Sequence, residues 1–160
     1  ERQVRDVRER VRRIHRQRGE DREDALLEDP AEVRTPLVVG GRSAGARSAA
    51  RTARSLGATG GLALSFPLHQ PGKTEPTRLH ELQGVGLPTL LVQGERDPMG
   101  RPEEFPGDQE GLDVVVIPGG DHGLKVPARG EVTQAEAMGI VVESTLEWLV
   151  REVVGNPRRG

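Results

Sequence analysis

Three residues in this chain could together perform nucleophilic chemistry: Ser43, Asp97 and His122. Ser43 stands in Gly40-Gly41-Arg42-Ser43-Ala44-Gly45, after a short apolar run and before a segment that reads as helix. Gly41-x-Ser43-x-Gly45 at a strand-to-helix junction is the pattern of a sharp turn that lifts a serine hydroxyl clear of the backbone. The flanking glycines are expected where strand and helix approach too closely for a Cβ. A serine hydroxyl is a weak nucleophile until a base takes its proton. His122, in Gly119-Gly120-Asp121-His122-Gly123, can be that base. Asp97, in Gly94-Glu95-Arg96-Asp97-Pro98, can hold the imidazole tautomer and stabilise the imidazolium. Taken singly, Asp97 before Pro98 is also a turn residue, and His122 also reads as a surface histidine. Their joint order, each just past an apolar run, is what points to a site.

The elements that must position these residues follow from patterning. Apolar runs at 37–39, 61–66, 88–93 and 112–117 read as buried strands. Segments 44–56, 79–82 and 131–154 read as helices, the first closed by Gly57. In the first helix Ala46, Ala49, Ala50 and Ala53 suit close packing on a sheet. In the last, Ala135, Met138, Val142, Leu146, Leu149 and Val153 are the expected apolar positions. Strands apolar on both faces and alternating with helices imply a parallel sheet covered on both sides. Ser43, Asp97 and His122 would then share the rim at the carboxyl ends of the strands, where sites form in such sheets.

The 160 residues are enough for one domain with a core, and that core is expected to be aliphatic and alanine-rich, since aromatics are only 2%. With no cysteine, disulfides, cysteine-ligated metals and a cysteine nucleophile are excluded. The four histidines are scattered singly, without metal-ligand spacing, and no lysine follows Gly40-Gly41-Arg42-Ser43, which excludes a phosphate-binding P-loop. His15 and His80 read as surface residues. Val4, Val7, Val11 and Ile14 mark one face of a first helix, whose arginines are interleaved with acids. That helix face reads as solvated, and the net charge of −2 draws the chain to no nucleic acid. No apolar run spans a membrane and no signal peptide is visible, so a cytoplasmic protein is expected. Residues 1–34 read as a helix and loop leading into the domain, and 155–160 as a frayed tail. The chain begins at Glu1, directly in a helical pattern, and reads as the C-terminal part of something longer.

The segments Gly40–Gly45, Phe66-Pro67-Leu68-His69, Gly94-Glu95-Arg96-Asp97 and Asp121-His122-Gly123-Leu124 resemble the α/β-hydrolase superfamily. Within it they resemble the small, cap-less dienelactone-hydrolase-like branch that includes the testis-expressed hydrolase-like protein and the third subunit of the non-specific-lethal complex. The resemblance implies a three-layer α/β sandwich, here a single partial domain over 1–160 without its N-terminal strands. It places the nucleophile at Ser43, the acid at Asp97, the base at His122 and one oxyanion-hole amide at Ala44. Dienelactone hydrolases proper use cysteine, and this chain has none. Nothing before Thr35 matches the loop, often beginning His-Gly, that lends the second oxyanion amide. One half of that hole is therefore expected to be absent, with low activity as the consequence. Arg42 and His69 are candidate pocket residues; for Arg42 the competing expectation is a salt bridge, and for His69 a place on a loop. The implied function is a serine hydrolase acting on an ester, thioester or similar small acyl substrate, without cofactor or metal. A non-catalytic interaction module on the same fold is the alternative. The apolar first strand, short of one neighbour, would offer an edge to a second copy of the chain.

Overall fold

The computed structural model describes residues 35–154 except 71, 72, 74, 76, 77 and 108. The helix expected at 4–14, the loop after it and the tail at 155–160 lie outside the described residues.

Four strands form one sheet: β1 (Val38–Arg42), β2 (Gly60–Leu64), β3 (Thr89–Gly94) and β4 (Leu112–Ile117). Their spatial order is their chain order, β1-β2-β3-β4, and every pairing is parallel. Parallel order puts all four carboxyl ends on one rim. The first strand lies one residue later than expected at its start and runs on through Gly40 and Gly41 to Arg42, because both glycines pair in register with Leu62 and Ala63 of β2. The strands expected at 61–66 and 88–93 are each displaced by one residue at the start, and β2 ends at Leu64. It ends there because Ser65 turns to φ 50° and leaves the sheet.

Helices α1 (Ala44–Thr52), α2 (Leu79–Gln83) and α3 (Gln134–Trp148) separate or follow the strands. Helix α1 is shorter than expected. The regular helix ends at Thr52, and the chain coils on until Gly57, at φ 67°, closes it with a bond from the Ala58 amide to the Ala53 carbonyl at 2.9 Å. Helix α3 starts three residues later than expected, at a capping box in which Thr133 Oγ1 accepts from the Glu136 amide and Glu136 Oε2 accepts from the Thr133 amide. It gives way to a π-helical segment, Leu149–Val154.

The sheet is covered on both faces. One layer joins Ala46, Ala63, Phe66, Leu82, Leu91 and Phe105 beneath α1 and α2. The other joins Leu90, Val92, Ile117, Leu124, Ala137 and Trp148 beneath α3. Burying each of these large side chains is worth about 1.5–3 kcal/mol. The core is mainly aliphatic, yet both phenylalanines and the single tryptophan lie within it. Of the apolar positions expected in the last helical segment, Leu149 and Val153 pack against this second layer, but the face presented by α3 itself is shifted. Ala137, Ile140, Val141 and Trp148 pack inward, whereas Met138 and Val142 are exposed. Helix α3 carries two apolar series one residue out of phase, and only the series that seats Trp148 can face β3 and β4. A buried bridge ties α1 to α2: Arg47 donates to both carboxylate oxygens of Glu81 at 2.8 and 2.6 Å, and this bonding holds Glu81 below the usual carboxylate range.

Candidate active site

Ser43 occupies the one-residue junction between β1 and α1. Its backbone stands at φ 54°, ψ −118°, a conformation costly for a residue with a Cβ. Two features hold it there. Its amide donates to the Leu64 carbonyl at the end of β2, at 2.9 Å. Gly41 lets β1 and α1 close up: a Cβ on Gly41 would lie 2.5 Å from the Gly45 carbonyl carbon. Gly45 does not share that constraint, contrary to the sequence expectation; a Cβ there would meet nothing within 4 Å. The helix axis carries Gly45 away from the strand while leaving its backbone against Gly41.

A serine at a helix N-cap normally accepts a bond from the first turn. Ser43 makes no such cap, so its hydroxyl is free for another partner. That partner is His122, 79 residues away in sequence, whose Nε2 lies 2.8 Å from Ser43 Oγ. The other ring nitrogen, Nδ1, lies 2.8 Å from Asp97 Oδ2. A carboxylate can only accept, so Nδ1 carries hydrogen. In the neutral ring Nε2 is then bare and accepts from the serine hydroxyl. Asp97 is fully buried, while the His122 side chain keeps 24% of its exposure, so the relay runs from the core to the surface.

Each arm of the relay is fixed by groups that the motifs did not single out. Gln93, the penultimate residue of β3, is fully buried. Its Nε2 donates to Asp97 Oδ2 at 2.9 Å and to the Gly100 carbonyl at 2.7 Å, and its Oε1 accepts from the Phe66 amide at 2.9 Å. Asp97 Oδ1 accepts from the Met99 amide at 2.8 Å. A lone amide side chain ending an apolar strand was the sequence signal for Gln93. Asp121 performs the corresponding task for His122. Its Oδ1 accepts from the amides of Gly123 and Lys125 at 2.7 and 2.9 Å, closing the loop around the imidazole. The Lys125 amide first, then that of Gly123, keeps its carboxyl below the usual range. Gly94 lets this loop lie against β3, since a Cβ there would sit 2.5 Å from the carbonyl oxygens of Gly120 and Asp121.

The remaining candidates lie on the same rim. Ala44 opens α1, where an amide has no intrahelical acceptor. Arg42 ends β1 and is exposed; it makes no salt bridge among the described residues, so the ion pair expected from sequence is not formed. His69 follows β2 and is buried. Its Nε2 pairs with Glu104 Oε2, its amide donates to the Met99 carbonyl at 2.8 Å, and Nδ1 has no well-formed hydrogen bond. The Glu75 backbone carbonyl first, then the Glu104 carboxylate, raise its pKa above the ordinary value against the opposing effect of burial. His80 is exposed on α2, as expected, and His15 lies outside the described residues.

A serine hydroxyl, an imidazole and a buried carboxylate in line, at the carboxyl rim of a covered parallel sheet, define a hydrolase-type fold and site. The family model described as alpha/beta hydrolase domain matches residues 4–150, and the chain belongs to that family. Among solved structures it is similar in fold to the esterase domain of a Rhodothermus marinus protein, with a TM-score of 0.54, 16% identity, and 76% of this chain and 62% of that one covered. It is also similar to an alpha-beta serine hydrolase homologue from Coxiella burnetii, with a TM-score of 0.47, 20% identity and coverage of 74% and 49%. A lidless a/b serine hydrolase from Xanthomonas campestris gives 0.47, 19% identity and coverage of 81% and 52%. The chain thus spans from 49% to 62% of the length of these proteins. No curated protein matches it. Among the described residues no helix is long and apolar enough to cross a membrane.

Proposed function

We propose that the protein is a serine hydrolase that transfers a small acyl group from an ester or thioester to water. The observation that carries this reading is the bonded series Ser43 Oγ, His122 Nε2 and Nδ1, Asp97 Oδ2, with the serine released from helix capping. Ser43 Oγ attacks the acyl carbonyl carbon as its proton passes to His122 Nε2. The resulting imidazolium is stabilised by the Asp97 carboxylate. The oxyanion formed at the carbonyl takes a hydrogen bond from the Ala44 amide. Collapse expels the alkoxide or thiolate, which leaves with the proton from Nε2. Water, deprotonated by the same nitrogen, then cleaves the acyl-serine ester and regenerates the hydroxyl. The Ala44 amide is one oxyanion donor in this reading, and loss of one such donor costs roughly 10²–10³ in turnover in a well-studied protease.

Within the family, we place the protein in the cap-less dienelactone-hydrolase-like branch, on the four segments that carry the resemblance. Arg42 and His69 border the acyl pocket in this reading. A second copy of the chain, paired along β1, is the macromolecular partner we propose; β1 pairs only with β2 among the described residues, and a monomeric sedimentation profile would refute that pairing.

Labelling by a fluorophosphonate probe, together with p-nitrophenyl acetate turnover, tests the chemistry. Both should be present in the protein and lost in Ser43→Ala. Equal labelling of Ser43→Ala would remove Ser43 as nucleophile. No labelling of either protein would favour a non-catalytic interaction module on the same fold.

A further inference from the structure

We propose that Arg42 selects acyl groups bearing a carboxylate, so that the substrates are half-esters or half-thioesters of short dicarboxylic acids. This rests on the acyl-transfer reading of Ser43. Arg42 immediately precedes the nucleophile, and neighbouring Cα atoms are only about 3.8 Å apart. Its side chain reaches across to the loop of the base: Nη2 lies 3.9 Å from the position a Cβ on Gly123 would take. The guanidinium therefore reaches the loop that carries His122, and the residue is exposed, with no ion pair or hydrogen bond among the described residues.

Some arginines are paired and others, Arg54, Arg96 and Arg129, carry no ion pair among the described residues, so what sets Arg42 apart is its place beside the nucleophile. Arg47 and Arg51 share Glu81, Arg101 meets Glu103, and Arg151 meets Asp113 and Glu152. One acid comes close to this position: Asp121 Oδ1 lies 3.0 Å from the same Cβ position, and that oxygen accepts from two backbone amides of its own loop. On the far side of Gly123, Lys125 Cγ comes within 3.7 Å of the same Cβ position, adding a second cation to the border. A guanidinium presents five donors in a planar fork and accepts nothing, so the group that completes it is a planar anion, and a carboxylate fits bidentately. Because the fork is carried by the residue next to the nucleophile, it meets a charge a few bonds from the scissile carbonyl.

The test compares p-nitrophenyl hydrogen glutarate with its methyl ester, two substrates that differ by one charge. The expected kcat/KM ratio favours the acid by about tenfold, the lower range for charge-assisted bonds. Arg42→Ala should bring that ratio to about one, and Arg42→Lys should retain part of it. A wild-type ratio near one, or a ratio unchanged in Arg42→Ala, overturns the proposal. Glutarate binding by calorimetry reads the anion site without turnover. Should neither ester react and Ser43 resist labelling, the acyl-transfer reading fails. Glutarate binding lost in Arg42→Ala would still uphold the anion site, and absence of binding would overturn it as well.

Discussion

Asp97 Oδ2 accepts two hydrogen bonds at once, from His122 Nδ1 at 2.8 Å and from Gln93 Nε2 at 2.9 Å. The amide of Gln93 thus competes with the imidazole for one oxygen while holding that oxygen in place. Hydrogen bonds to charged groups are worth about 1.5–3 kcal/mol, and a buried partner left bare costs more. Gln93→Leu should destabilise the fold by about 2–4 kcal/mol on urea denaturation. With one donor gone, the Asp97 carboxylate is held by His122 and the Met99 amide alone. Ester turnover should therefore fall about tenfold, as positional errors in such groups do. Unchanged turnover in a folded Gln93→Leu protein would leave Gln93 a packing residue only.

The two elbow glycines should respond oppositely to alanine. At Gly41 the new methyl would collide with backbone, 2.5 Å from the Gly45 carbonyl carbon. Neither β1 nor α1 can yield without losing the Ser43 turn, so Gly41→Ala should cost at least about 3 kcal/mol, above the usual range for single substitutions. At Gly45 the methyl meets open space. Gly45→Ala should stabilise by up to about 1 kcal/mol, the helix-propensity difference. Thermal melts of the two variants check this, and equal destabilisation would contradict the geometry of the junction.

Asp121 should matter for activity more than for folding. Asp121→Ala removes the acceptor for the Gly123 and Lys125 amides and loosens the loop that aims His122. We expect ester turnover to fall about tenfold or more, as positional errors in such groups do, with the melting temperature nearly unchanged. Full turnover in Asp121→Ala would show that His122 is held by other contacts.

His69 gives a pH dependence of known sign. Its folded pKa is raised above the ordinary 6.5, by the Glu75 carbonyl and the Glu104 carboxylate. Its contribution to stability is therefore complete below that ordinary value and is lost as pH rises through the folded pKa. Unfolding free energy should decline with rising pH across that window, and His69→Gln should flatten the decline. A profile identical in both proteins would remove His69 as the cause.

By itself the sequence was sufficient to single out Ser43, Asp97 and His122 as one candidate group, because each is marked locally, by glycines and by an apolar run that ends just before it. It was also sufficient for the parallel, two-faced sheet, since runs such as Leu90-Leu91-Val92 have no polar face. What tertiary structure alone decided are relationships between segments. The burial of Gln93 between Phe66, Asp97 and Gly100 joins three segments, and no local pattern encodes that junction. The choice of Ala137 and Val141 over Met138 and Val142 as the inward face of α3 depended on where Trp148 could seat. The different standing of Gly41 and Gly45 depended on the angle at which α1 leaves β1. Apolar periodicity is written into the chain one element at a time, whereas packing partners are settled only when the elements compete for the same space.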